Sequence, residues 1–296
     1  MRFSYAEAMT DPAYYVPLAR AAEEAGFDTM LIADSIAYPA ESSSQYPYNP
    51  DGTRTFLEDK PFLEPFVLIG ALAASTTTLR FLTNVLKLPV RAPALVAKQA
   101  TSLAVLSDNR FLLGVGLSPW PEDYELCGVP WAKRGKRMDE AIAIVRGFAT
   151  GEYFEHHGEI FDLPRAKMAP APTRPIPIIT GGHGDVALRR AARSADGWIY
   201  AGLAELEELT RMIGRLQELR SECGRADEPF EFHAATLAGF APEGVGHLAE
   251  LGVTDISVGF RDPYAGGPDT EPLEKKLHQI KKYGEKVIAP VRAAGG

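Results

Sequence analysis

Residues 175–200 read PIPIITGGHGDVALRRAARSADGWIY. An apolar run ends at Thr180, then Gly181, Gly182 and Gly184 flank His183, and a helical pattern starts at Asp185. Bare backbone at a strand–helix junction suits one kind of chemistry. Glycine tolerates positive φ and lets main-chain N–H groups approach an anion, while the start of a helix adds its positive dipole end. Gly182-x-Gly184-x-x-Ala187 satisfies the dinucleotide fingerprint G-x-G-x-x-G/A. The motif is not in the first strand–helix unit, however, and no acidic residue closes the next apolar run, GWIYAG. A dinucleotide site and a ligand-free tight turn both remain open, and a backbone cradle for a phosphorylated cofactor is favoured over either.

Other reactive residues are scattered. His156 and His157 have no partner at metal-ligand spacing, so they read as loop surface and no metal site is expected. Cys127 and Cys223 show neither metal nor framework spacing and read as thiols of a reducing cytosol. His233, inside an apolar run, is an interior histidine or a proton donor. Lys87 and Arg91 follow another apolar run and fit either the counter-charge of a bound anion or solvated charge.

An alternation of strand and helix positions these residues. Strands are expected over 2–8, 29–34, 80–88, 110–117, 177–180, 197–202, 230–240 and 254–260. Helices are expected over 17–25, 64–75, 93–106, 133–148, 185–193, 206–219, 242–251 and 271–288. Prolines fall in first turns and Gly26 reads as a stop. Runs such as MLIA and FLLGV are apolar throughout, as when both faces of a sheet are covered. Eight strands within 296 residues fit one α/β domain over 1–296, a (β/α)8 TIM barrel, with a doubly wound open sheet as the alternative. Two long segments interrupt the pattern: 35–62, whose aromatic content suggests a lid, and an insertion over 151–175. Chemistry in a barrel sits at the C-terminal strand ends. That marks Glu7, Asp34, Asn84, Leu117, Ser118, Thr180, Gly181, Gly182, Gly202, Phe240 and Phe260.

A formal charge of −8 argues against general affinity for nucleic acid or anionic membranes. The longest apolar stretch, FVLIGALAA, is less than half a membrane span. No apolar region follows the N-terminal Arg2, so a cytoplasmic protein is expected.

Four stretches go beyond generic patterning: AEEAGFDTMLIADS, LKLPVRAPALVAKQATSLAVLSDNRFLLGVG, GVGLSPWPEDYELCGVPWAKRGKRMDEAIAIVR and PIPIITGGHGDVALRRAARSADGWI. In this order they resemble the luciferase-like monooxygenase superfamily, in its F420-dependent oxidoreductase branch. The resemblance implies a barrel that binds coenzyme F420, or alternatively FMN, at the strand C-termini, commonly as a homodimer. It places Asp34 near the cofactor ring and a non-prolyl cis peptide at Asn84-Val85. It puts Gly116, Leu117 and Ser118 beside the cofactor tail, and Thr180, Gly181, Gly182 and His183 at ribityl and phosphate.

One departure bears on the reaction. Ser35 stands where many deazaflavin enzymes of the family carry histidine, and a hydroxyl is a poor proton carrier near neutral pH. That weighs against alcohol or sugar-phosphate dehydrogenation. The resulting expectation is hydride transfer between F420 and a small, apolar, unsaturated or carbonyl substrate. Asp34 and Ser35 are the candidate catalytic residues, and Tyr38, Tyr48 and Phe56 the pocket wall. Alternatives are an FMN-dependent monooxygenase fed by a separate flavin reductase, or a flavin-binding barrel without turnover.

Overall fold

A computed structural model describes residues 1–42, 44–46, 52–262, 264 and 267–295. Eight parallel strands form the sheet: β1 (Arg2–Glu7), β2 (Thr29–Ile32), β3 (Arg80–Thr83), β4 (Phe111–Gly116), β5 (Ile178–Gly181), β6 (Gly197–Leu203), β7 (Glu231–Ala235) and β8 (Asp255–Val258). Pairing runs β3-β2-β1-β8-β7-β6-β5-β4, and β3 also pairs with β4 through Phe81↔Phe111 and Leu82↔Leu112. The sheet is therefore a closed barrel, and the doubly wound alternative is excluded.

The outer layer comprises α1 (Tyr15–Glu24), α2 (Pro65–Ala73), α3 (Pro93–Leu106), α4 (Arg134–Ala149), α5 (Asp185–Ser194), α6 (Leu206–Glu222), α7 (Pro242–Glu250) and α8 (Leu273–Tyr283). Local signals start and stop these helices. Proline opens α2, α3 and α7, the Glu64 side chain accepts from Val67 N, and Gly26 follows α1 at φ +89°. The main core lies between barrel and helices. Among the described residues, no helix is long and apolar enough to cross a membrane.

Inside the barrel, Leu31, Leu82, Leu112, Ile179 and Ile199 pack with Ala6 and Val85. Residues two apart on a strand share a face. The inward positions nearer the C-terminal ends are therefore Gly114, Gly116, Gly181, Ala201 and Ala235. Small residues let neighbouring groups approach closely there: a Cβ at Gly114 would lie 1.9 Å from Thr83 O. The opposite end is filled by charge. Arg2 pairs with Asp255 at 2.6 Å and Glu231 at 2.9 Å, and Arg80 lies 3.3 Å from Glu231. His233 is wholly buried there, its Nε2 2.8 Å from Glu231, which settles it as an interior histidine. Glu231, His233 and Asp255 could geometrically hold a metal, but two guanidinium groups already neutralise the carboxylates.

Three expected elements differ from those found. The third strand does not run to residue 88. It breaks after Thr83 at the cis peptide Asn84-Val85, then Leu86–Lys87 rejoin β4 and a 3-10 turn spans Leu88–Val90. The seventh strand stops at Ala235, because the Thr236 side chain accepts from Ala238 N and turns Leu237–Phe240 into a 3-10 helix. Phe240 is therefore not at a strand end. Within 151–175, Phe154–His157 and Asp162–Ala166 form an antiparallel hairpin. Its tip is held by Glu140 of α4, which accepts from the N–H groups of Glu159, Ile160 and Phe161 at 2.9–3.2 Å. Desolvation pushes the Glu140 carboxyl up, but these bonds and His156 outweigh it and hold it low. His156 thus makes a partly buried contact with Glu140 at 3.3 Å, whereas exposed His157 does lie at the surface.

Candidate functional site at the barrel mouth

Asp34, two residues past β2, reaches across to the bend after β3. Its side chain is only 1% exposed. Oδ1 accepts from Arg91 Nη2 and Oδ2 from Arg91 Nη1, both at 2.9 Å, and Oδ2 also accepts from Lys87 N at 2.9 Å. Asn84 N donates to Ile32 O at 2.7 Å. One carboxylate therefore grips the far end of the bend that carries Asn84-Val85. The Lys87 ammonium lies 2.7 Å from Asp123 Oδ2, to which buried Ser118 also donates its hydroxyl proton. Ser118 Oγ in turn accepts from Trp120 N at 3.0 Å. Lys87 and Arg91 are thus neither solvated nor uncommitted counter-charges. Each is engaged with a buried carboxylate.

Val85 joins the two halves of the site. A Cβ at Gly116 would meet Val85 Cγ2 at 2.6 Å, and one at Gly181 would lie 3.7 Å from Val85 Cγ1. The valine fills the room that Gly116 leaves and borders the end of β5. Half-buried Leu117 packs against the main core.

Across the mouth the glycine turn follows β5. Thr180 is wholly buried, Gly182 adopts φ +113°, and its carbonyl accepts from Trp198 Nε1 at 2.9 Å. Gly184 is the N-cap of α5 and supplies no side-chain cap; a Cβ there, or at Gly202, would meet nothing within 4 Å. The first N–H groups of a helix have no intrahelical acceptor, so this end presents donors to open space. Asp185 in the first turn is paired with Arg189 at 2.7 Å and Arg215 at 3.2 Å. His183 Nε2 accepts from Ala201 N at 3.0 Å, which leaves its proton on Nδ1 in the neutral form. Its ring centroid lies 4.2 Å from that of Tyr200, and burial lowers its pKa against a smaller opposing pull from Glu208.

The lid segment converges on Trp120. The Tyr46 ring stacks on it at 5.3 Å and the Arg54 guanidinium lies 4.2 Å from its centroid, while Arg54 also reaches Glu122 at 3.3 Å. Phe56 is buried against Tyr46 and Tyr264. Of the three expected wall residues, Phe56 joins this cluster, exposed Tyr38 instead lines a 390 Å³ hollow with Ser42, Gln45 and Thr53, and Tyr48 lies outside the described residues. Ser35 is half-buried between β2 and the lid. Asp123, Arg54, Tyr264 and Trp198 were not singled out from sequence. Only Trp198 had a local signal, as the last residue of Ala-Asp-Gly-Trp.

Comparison with known proteins places this geometry. Residues 2–242 match the family model described as luciferase-like monooxygenase. An uncharacterized protein of Mycobacterium tuberculosis is 62% identical over 291 residues, 98% of this chain and all of that protein. An F420-dependent glucose-6-phosphate dehydrogenase of Nakamurella multipartita is 30% identical over 205 residues, 67% of this chain and 56% of the dehydrogenase. The structure of coenzyme F420-dependent tetrahydromethanopterin reductase from Methanopyrus kandleri superposes with a TM-score of 0.75 over 98% of this chain and 99% of that one, at 15% identity. The last likeness is one of fold.

Proposed function

This chain belongs to the luciferase-like monooxygenase family, and from that premise we propose that it transfers hydride between coenzyme F420 and a small, apolar substrate bearing an unsaturated bond or a carbonyl. The observation that carries this reading is the start of α5 at Gly184, which has no side-chain cap and where a Cβ would meet nothing within 4 Å. Its donors suit a phosphate, and a side chain at 184 would occupy the open space beside them, whereas one at 182 would press on Ala187 at 2.9 Å.

In this reading the amides of 183–185 hold the phosphate, and Val85 with Gly116 and Gly181 supports the ring. When bound, the deazaflavin supplies a carbon centre that gives or accepts hydride and reacts poorly with oxygen. The chain supplies placement and dryness. Asp34, with both oxygens taken up by Arg91, holds the bend in register and is a positioning residue. The Tyr46, Phe56, Trp120 and Tyr264 cluster covers the mouth and keeps water from it. Ser35 offers no strong base, which favours carbonyl or alkene chemistry over alcohol oxidation. A homodimer belongs to the same reading, supported by exposed Val67 and Leu95 on the adjacent helices α2 and α3.

The relative named for F420 dependence favours the deazaflavin. The family description favours a second reading, an FMN-dependent monooxygenase served by a separate flavin reductase, and the same amides would hold either phosphate. Titration of the purified protein with each oxidised cofactor, followed by fluorescence quenching, separates them. Micromolar binding of F420 with turnover of an enone or aldehyde is expected. Binding of FMN alone would overturn the first reading.

A further inference from the structure

We propose that Trp198 is a positioning residue for anion binding, because its indole N–H fixes the direction of the peptide that opens the cradle. The inference rests on the proposed phosphate-binding role of that turn. Trp198 lies on the outward face of β6, in register with Thr180 of β5, and is wholly buried against α5. Its single polar atom, Nε1, donates to Gly182 O at 2.9 Å. In a trans peptide the C=O and N–H point in opposite directions. With the Gly182 carbonyl drawn down onto the indole, the His183 N–H must point away from the core, over the strand ends.

The His183 side chain is tied to β6 through Ala201 N at 3.0 Å, and the indole is the partner of the Gly182 carbonyl. Gly182 at φ +113° has no Cβ to restrict rotation of the peptide. The reversed peptide would present a carbonyl oxygen to the anion in place of an N–H. The indole is itself held rigidly. Gly197 lets β6 approach so closely that a Cβ there would lie 2.7 Å from Glu231 O, and Asp196 Oδ2 accepts from Ile178 N at 2.8 Å. Asp196 ties the start of β5, Gly197 seats β6 between its neighbours, and Trp198 reaches the end of β5. The run Ala-Asp-Gly-Trp is thus one device, read from the base of a strand pair to its top.

The test compares each cofactor with its phosphate-free counterpart: F420 with the deazaflavin bearing only the ribityl chain, and FMN with riboflavin. Dissociation constants are measured by fluorescence for the full chain and for Trp198→Phe. A second variant places a benzothiophene side chain at 198, which keeps the bicyclic shape and lacks only the N–H. Losing one hydrogen bond to a charged group predicts phosphorylated-ligand binding weaker by about tenfold to a hundredfold. The phosphate-free ligands should bind within about twofold of the parent protein. A parent that prefers the phosphorylated ligand and variants that keep that preference would overturn the role of Trp198 alone. Equal weakening of both ligands in the benzothiophene variant would also overturn it, marking the contact as merely structural. A parent with no preference in either pair would overturn the phosphate cradle itself.

Discussion

Replacing Asp34 by Asn tests whether this residue holds the bend or takes part in the reaction. The substitution keeps size but removes the charge opposite Arg91, and it turns one acceptor into an NH2 group facing guanidinium donors. Breaking a fully buried pair costs about 3–5 kcal/mol. Here the side chains are 1% and 19% exposed, so solvent recovers part of that and about 2–4 kcal/mol is expected. For a domain of this size that corresponds to a fall in Tm of roughly 3–7 °C. Arg91→Gln should cost a similar amount, since it strands a buried carboxylate.

The double variant carries neither unpaired charge. It should lose about 2–4 kcal/mol rather than the sum of the singles, a coupling of about 2–4 kcal/mol. Differential scanning calorimetry or denaturant unfolding of the four proteins reads the cycle, and cofactor titration of the same four should be non-additive too. Coupling below about 0.5 kcal/mol would refute the pair as the holder of the bend. An Asp34→Asn protein with unchanged Tm and cofactor affinity but abolished turnover would instead place the carboxylate at the reacting atoms.

Gly116→Ala would put a methyl 2.6 Å from Val85 Cγ2; an overpacking cost of about 1–3 kcal/mol and weaker cofactor binding are expected, with Val85→Ala restoring both. Trp120→Leu removes the Tyr46 stack and the Arg54 cation–π contact, together worth about 1–3 kcal/mol, so limited proteolysis within 35–62 should accelerate by roughly tenfold or more. Glu23, at the end of α1, accepts from the N–H groups of Thr77, Thr78 and Leu79 and from the Thr78 hydroxyl. Desolvation raises its carboxyl, but these bonds prevail and bring it down to about 2. A pKa depressed on folding stabilises above the unfolded value of 4.5 and is lost as pH falls toward 2. Glu23→Gln, discounted for solvent, should cost about 1–2 kcal/mol at pH 7, with the gap to the parent closing near pH 2; a gap unchanged by acid would contradict this.

Some of this protein was readable residue by residue. Strand and helix are set by near neighbours: apolar runs such as residues 30–32 and 111–115, prolines in first turns, glycine beyond a last turn. Those signals are local, so the chain itself marked the alternation of eight strand–helix units, while the choice of a closed barrel over an open sheet came from the β3–β4 pairing. It also marked the turn at Gly181 to Gly184, because glycines gathered at a strand end have few physical uses. What the linear order could not determine depends on residues brought together only by closure. Lys87 meets Asp123, Asp34 meets Arg91, and Tyr46 meets Trp120 and Tyr264, each pair separated by dozens of residues or more. The break in β3 and the hairpin tip on Glu140 have the same origin, since a distant partner there outbids the local pattern for the backbone's hydrogen bonds; the early end of β7 is instead a local turn at Thr236 that the apolar pattern did not reveal. Tertiary structure alone decided which charges face solvent, which neutralise one another, and which way the Gly182 carbonyl turns. Packing and electrostatics act through space, and the chain's order records only neighbours along the backbone.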